Sequence, residues 1–168
     1  MDAKPIPTGR LLSTADGHEL VLTRTFKAAV TDIWADVTEP GRTALWFGPW
    51  EGDAGVGHII RVRLDFEDGT PWCDLRIDAC EPPYLLGVTM SDAAGDWPME
   101  LRLSEADGVT RLELVHRLAT TKSIGDIGPG WEYYLDRLCA ARDGSETVSF
   151  EAYYPAQKEY FESLAVER

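Results

Sequence analysis

The sequence predicts an α+β fold: one antiparallel sheet with a single apolar face, covered by one long helix near the C-terminus. Three observations lead there. Successive runs alternate apolar and polar residues, the pattern of half-buried strands. Asp-Gly pairs at 16–17, 68–69 and 107–108 separate such runs and supply the positive φ that tight hairpins need. Residues 129–142 then carry large apolar side chains at helical spacing. Runs of strands followed by a helix indicate α+β rather than α/β.

Residues 10–14 and 18–26 flank the first Asp-Gly and read as a hairpin, with Leu20, Leu22 and Phe26 on one face. Residues 30–38 place Val30, Ile33, Trp34 and Val37 at helical spacing until Pro40-Gly41 ends the run, and 41–47 reads as a short second helix. Residues 58–66 put Ile60, Val62, Leu64 and Phe66 on one face against Arg61, Arg63 and Asp65. Residues 71–80 do the same with Cys73, Leu75, Ile77 and Ala79. Strands at 84–91, 97–104 and 109–118 follow, the last with Leu112, Leu114, His116 and Leu118 facing inward. In the main helix Trp131, Tyr134, Leu135, Leu138 and Cys139 form one stripe, and each large side chain contributes roughly 1.5–3 kcal/mol when fully buried. Pro129 fits a first turn, and Gly144 fits a helix stop. A tail helix is expected at about 155–165. A sheet wrapped on one long helix is a helix-grip arrangement.

The bulk numbers exclude several functions. At 168 residues the chain is expected to form one domain, 1–168, large enough for a real core. Formal net charge is -13, which repels nucleic acid and anionic membrane, so neither is expected as a partner. Cys73, Cys80 and Cys139 are an odd number without metal-type spacing, so no disulfide framework is expected. His58, His116 and Cys73 share the inward phase, but no H-x-H or C-x-x-C spacing accompanies them, and neither metal nor cofactor is expected. The segment MDAKPIPTGRLL has no apolar stretch fit for a signal peptide or membrane span, so a cytoplasmic location is expected.

Four stretches carry a family resemblance: 20–50 (LVLTRTFKAAVTDIWADVTEPGRTALWFGPW), the hairpin 58–66 through 71–80, 81–88 (EPPYLLGV) and 128–138 (GPGWEYYLDRL). Together they resemble the START-like (SRPBCC, Bet v 1-like) superfamily, and within it the activator of Hsp90 ATPase homologue 1-like group. The resemblance spans about residues 9–164. It implies a seven-stranded antiparallel sheet gripping a C-terminal helix, often around a cavity. Related domains bind lipids, sterols, polyketides or plant hormones there, and some use the cavity as an active site. The co-chaperones that give the group its name carry a further Hsp90-binding domain for which this length leaves no room, so Hsp90 is not expected as a partner.

The expected function is binding of a small apolar or aromatic molecule between sheet and helix, without an assigned catalytic residue. The expected cavity residues are Trp46, Phe47, Ile60, Val62, Leu75, Leu86, Val88, Leu101, Leu114, His116, Trp131, Tyr134 and Leu135. His116 is the polar candidate on an otherwise apolar face, where an imidazole could hold a ligand oxygen or act as a base. Arg24 shares the inward phase and must be paired, with Glu113 or Asp136 as structural partners or a ligand carboxylate as the functional one. Two alternatives stand beside ligand binding: a cavity enzyme using His116, and a protein-interaction module of co-chaperone type using the loop aromatics Trp46, Phe47, Trp50 and Trp72. A homodimer through the tail or a sheet edge is the expected assembly if the chain associates.

Overall fold

The computed structural model describes residues 4–93 and 95–168. The first three residues of the N-terminal segment read above, and of the expected domain, lie outside the described residues. Seven strands form where the alternation places them: β1 (Arg10–Thr14), β2 (Gly17–Phe26), β4 (Ile59–Arg63), β5 (Trp72–Glu81), β6 (Leu85–Asp92), β7 (Gly95–Ala106) and β8 (Val109–Leu118). Two strands of two residues each, β3 (Trp50–Glu51) and β9 (Val166–Glu167), extend the edges. The sheet runs β3-β4-β5-β6-β7-β8-β2-β1-β9, antiparallel except where β9 lies parallel to β1. Helices α1 (Val30–Thr38) and α2 (Pro40–Thr43) follow β2, α3 (Ile124–Asp143) follows β8, and α4 (Lys158–Glu162) belongs to the tail.

The register sets rows of inward side chains across the sheet. One row is Leu22, Leu114, Leu101, Leu86 and Cys80, and its neighbour is Leu20, His116, Met99, Val88 and Ile77. Opposite residues of an antiparallel pair project to the same side, so each row is a stripe of floor under α3. The row ends in Cys80 because of a bulge. Two residues of β5, Asp78 and Ala79, stand against Gly87 alone, which flips the phase. The expectation that Ala79 faces inward is therefore corrected to Cys80.

The short second helix is Pro40–Thr43 rather than 41–47, because 44–47 is turn. Three further boundaries differ from expectation. β4 ends at Arg63, and 64–71 form a loop closed by the Leu64 N–H donating to the Pro71 carbonyl at 2.8 Å. Phe66 thus leaves the strand and lies under the Arg137 guanidinium, 3.5 Å from ring centroid to carbon. Helix α3 starts at Ile124, so Pro129 sits inside it rather than in its first turn. The early start is made by packing against the tail. Gly128 has no side chain because Phe161 occupies the space: a Cβ there would lie 2.3 Å from the ring. Third, the tail is not one helix over 155–165. A single 3-10 turn (Phe150–Ala152) precedes the short α4, which places Phe161, 1% exposed, against Gly9 and Gly128. The helix α3 ends at Gly144, which adopts the left-handed conformation and donates its N–H to the Ala140 carbonyl. Among the described residues, no helix is long and apolar enough to cross a membrane.

Candidate functional site

A cavity of about 300 Å³ lies between one end of the sheet and the segments that cover it. Its floor comes from β4 to β8: Ile60 and Val62, Leu75 and Ile77, Leu86 and Val88, Met99 and Leu101, and Leu114. Its roof comes from α1 and the turn after α2, through Trp34, Val37, Trp46, Phe47 and Trp50. Trp131 of α3 closes one side, and Thr38, Thr43, Ala54, Gly55 and Cys80 complete the lining. The floor is aliphatic because strands with one dry face alternate branched apolar residues inward. The roof is aromatic because the 43–50 turn carries three large rings within a short loop.

That turn is pinned. Gly48 passes so close to β4 that a Cβ would stand 1.8 Å from the Arg63 carbonyl oxygen, so only glycine fits. The Thr43 hydroxyl donates to the Gly48 carbonyl at 2.7 Å. The Trp46 indole donates to the Asp36 carbonyl at 2.9 Å, and the Trp50 indole to the Thr38 carbonyl at 2.8 Å. Asp36, buried on α1, accepts from Arg42 at 3.0 Å and from Arg142 of α3 at 2.6 Å, tying the roof to the long helix. Rings then meet along the wall. Phe47 and Trp131 lie with planes 14° apart and centroids 6.2 Å apart, and Tyr134 packs on Phe47 at 5.0 Å.

Ten of the thirteen residues expected at the cavity line it: Trp46, Phe47, Ile60, Val62, Leu75, Leu86, Val88, Leu101, Leu114 and Trp131. Three do not, and each has a reason. His116 is 2% exposed and lies behind Trp131: its Nδ1 accepts the Trp131 indole N–H at 3.1 Å, and Trp97 stacks on it at 5.3 Å. Burial pushes its pKa down to about 4, so it is neutral at physiological pH with its Nδ1 lone pair already used. Tyr134 turns its hydroxyl away to donate to the Glu67 carboxylate. Burial, reinforced by that bond, pushes the phenol well above its ordinary value. Leu135, fully buried, packs in the core cluster away from the space. The residues that the sequence reading missed are Trp34, Trp50, Met99 and Cys80, among others. Trp34 and Met99 were legible from phase, whereas Cys80 was concealed by the bulge.

Arg24 has no capacity left for a ligand. It donates to Glu132 at 2.9 Å and to Asp136 at 3.1 and 3.0 Å, so Asp136 is a partner, Glu132 is a second one, and Glu113 is not one of them. Burial alone would lower its pKa, but the two carboxylates outweigh that and raise it. Glu132, 1% exposed, also accepts from the Thr8 backbone and hydroxyl and from the Gly9 backbone, which straps the N-terminal segment onto α3. A second cleft of about 440 Å³ opens beside this network, lined by Lys4, Thr8, Arg24, Asp136, Asp143 and Glu146 among others. It is larger, but its charges of both signs oppose one another. Among the described residues, no group of three or more His, Cys, Asp or Glu is placed to hold a metal ion. His58 is exposed and its Nδ1 faces the Asp53 carbonyl at 3.0 Å. Cys73 is buried, Cys139 half-buried and Cys80 exposed, and none is in a disulfide.

A curved sheet gripping a long C-terminal helix defines the START-like class. Within that class the chain belongs to the activator of Hsp90 ATPase homolog 1-like family, whose model matches residues 27–142. Solved structures share the architecture. The crystal structure of CalU16 from Micromonospora echinospora aligns over 95% of this chain and 96% of its own, with TM-score 0.76 and 25% identity. DynU16, from the dynemicin biosynthetic locus, aligns with TM-score 0.65 and 25% identity over 76% of this chain but only 48% of its own. The solution structure of the protein encoded by gene BPP1335 from Bordetella parapertussis aligns over 99% of this chain and 95% of its own, with TM-score 0.76; at 21% identity it speaks to the fold alone. No curated protein matches the sequence.

Proposed function

We propose that the chain binds a small, largely apolar molecule in the cavity between sheet and roof. The observation that carries this reading is the space itself: about 300 Å³ lined by apolar side chains, at the lower end of the range typical of small-molecule sites. A folded chain gains by filling such a void, because unfilled cavities cost stability. The similarity to DynU16 adds a second, weaker support, since that protein is from the dynemicin biosynthetic locus. Binding is favoured over catalysis by His116, because that side chain is screened by Trp131 and bonded to it.

A thermal-shift screen against fatty acids, sterols, flavonoids and aromatic acids tests the proposal. A ligand at 100 times its Kd adds about 2.7 kcal/mol. For a chain of this length that raises Tm by roughly 5–10 °C. A hit should vanish in Val88→Phe, which fills the floor. A hit that survives Val88→Phe and a second filling variant, Leu86→Phe, would place binding elsewhere and contradict the proposal.

A further inference from the structure

We infer that the cavity selects a neutral, flat, fused-ring ligand and rejects any molecule whose buried part carries a charge. The inference rests on the binding reading above and narrows it to a chemical class.

Among the described residues, no Asp, Glu, Lys, Arg or His lines the space. A buried carboxylate, phosphate or ammonium would therefore meet no counter-ion, and an unpaired charge is the most costly group to remove from water. Side-chain donor capacity is also nearly spent. Three of the four lining indoles, Trp46, Trp50 and Trp131, donate to Asp36, Thr38 and His116. The hydroxyls of Thr43 and Thr38 donate to the carbonyls of Gly48 and Trp34. What remains is the half-buried Trp34 indole and the exposed Cys80 thiol. The floor beneath offers only hydrocarbon and the Met99 thioether. Among the lining side chains a ligand acceptor therefore finds a donor only at Trp34 or Cys80, and a ligand hydroxyl finds acceptors only at the Thr38 and Thr43 oxygens; any further polar group is left unpaired.

Shape narrows the class further. The roof and side are rings, with Phe47 and Trp131 close to parallel at 14°, while the opposite wall is aliphatic. Such a slot rewards a rigid planar body, which stacks on ring faces and loses no internal rotation when bound. A flexible acyl chain of equal area loses rotor freedom and gains no stacking. The net charge of -13 adds a long-range penalty for anions of either kind.

Equilibrium dialysis of the intact protein with trace phenanthrene, its carboxylate and decanoate tests this. Phenanthrene should bind saturably. Its carboxylate and decanoate should each bind at least about 100-fold more weakly, which is about 2.7 kcal/mol. Val88→Phe and Leu86→Phe should each abolish phenanthrene binding while retaining a cooperative thermal transition. If decanoate or the carboxylate binds within about tenfold of phenanthrene, and the filling variants abolish that binding, the selectivity is refuted while the cavity still binds. If none of the three binds, the inference falls together with the reading beneath it.

Discussion

Whether Phe161 and Gly128 form one fitted joint is decided by replacing each alone and both together. Phe161 is 1% exposed, and its ring stands where a Gly128 side chain would be, with Cδ1 at 2.3 Å and Cε1 and Cγ at 2.5 Å from that Cβ. Phe161→Ala removes a buried ring and should cost about 3–5 kcal/mol. At roughly 2–4 °C per kcal/mol for this length, Tm should fall by about 6–20 °C. Gly128→Ala forces a rigid ring out of place, an overpacking that costs about 1–3 kcal/mol. In the Phe161→Ala background the ring is gone and the sign should change. Alanine is the better helix former by about 0.8–1.0 kcal/mol, so the second substitution becomes neutral or stabilising. The cycle should therefore show a coupling of roughly 1–4 kcal/mol, measured by urea unfolding followed by circular dichroism. Effects that add within about 0.5 kcal/mol would refute the joint and leave the early start of α3 without its explanation.

Other consequences follow from the polar groups. Arg24→Ala leaves the Glu132 carboxylate buried without its cation and should cost about 3–5 kcal/mol, read as a drop in the urea midpoint; an effect below 1 kcal/mol would contradict the network. His116 has a folded pKa of about 4 against 6.5 unfolded, so the folded state holds fewer protons in that window. Its contribution is complete above pH 6.5 and is lost as pH falls toward 4, by up to about 3 kcal/mol. His116→Gln keeps an acceptor for Trp131 but cannot titrate, so the stability difference between parent and variant should narrow or reverse across that window; parallel pH curves would count against the assignment. Tyr134→Phe loses a hydrogen bond to a charged partner and should cost about 1.5–3 kcal/mol in chemical denaturation, with ligand binding retained.

The strands were legible because a one-sided sheet writes its pattern plainly. The expected 109–118 matches β8 residue for residue, and the inward set on β4 through β8 supplies most of the cavity floor. Alternation cannot register what breaks its period. The bulge at Asp78 and Ala79 exchanges Ala79 for Cys80 at the rim, and nothing in a run of single residues announces two of them opposite Gly87. The two-residue strands β3 and β9 are too short to carry a pattern, and β9 forms only because the tail is delivered to β1. Helix α3 shows the limit from the other side. Pro129 reads locally as a first turn, but contacts with α4 hold five residues before it in the helix, against local preference. His116 was correctly placed on the inner face, yet facing inward did not mean facing the cavity. Its partner is the indole of Trp131, fifteen residues on in sequence and on a different element.

The central claim is that the space under Trp46, Phe47 and Trp131 is open and apolar. Methyl NMR under xenon pressure tests it without knowing the ligand, because xenon enters dry apolar cavities. Methyl signals of Val62, Leu75, Val88, Leu101 and Leu114 should shift saturably, while those of Leu20 and Leu138, buried away from the space, should stay still. Shifts spread evenly over both sets, or none at all, would mean that side chains fill the space and that the chain acts through its surface.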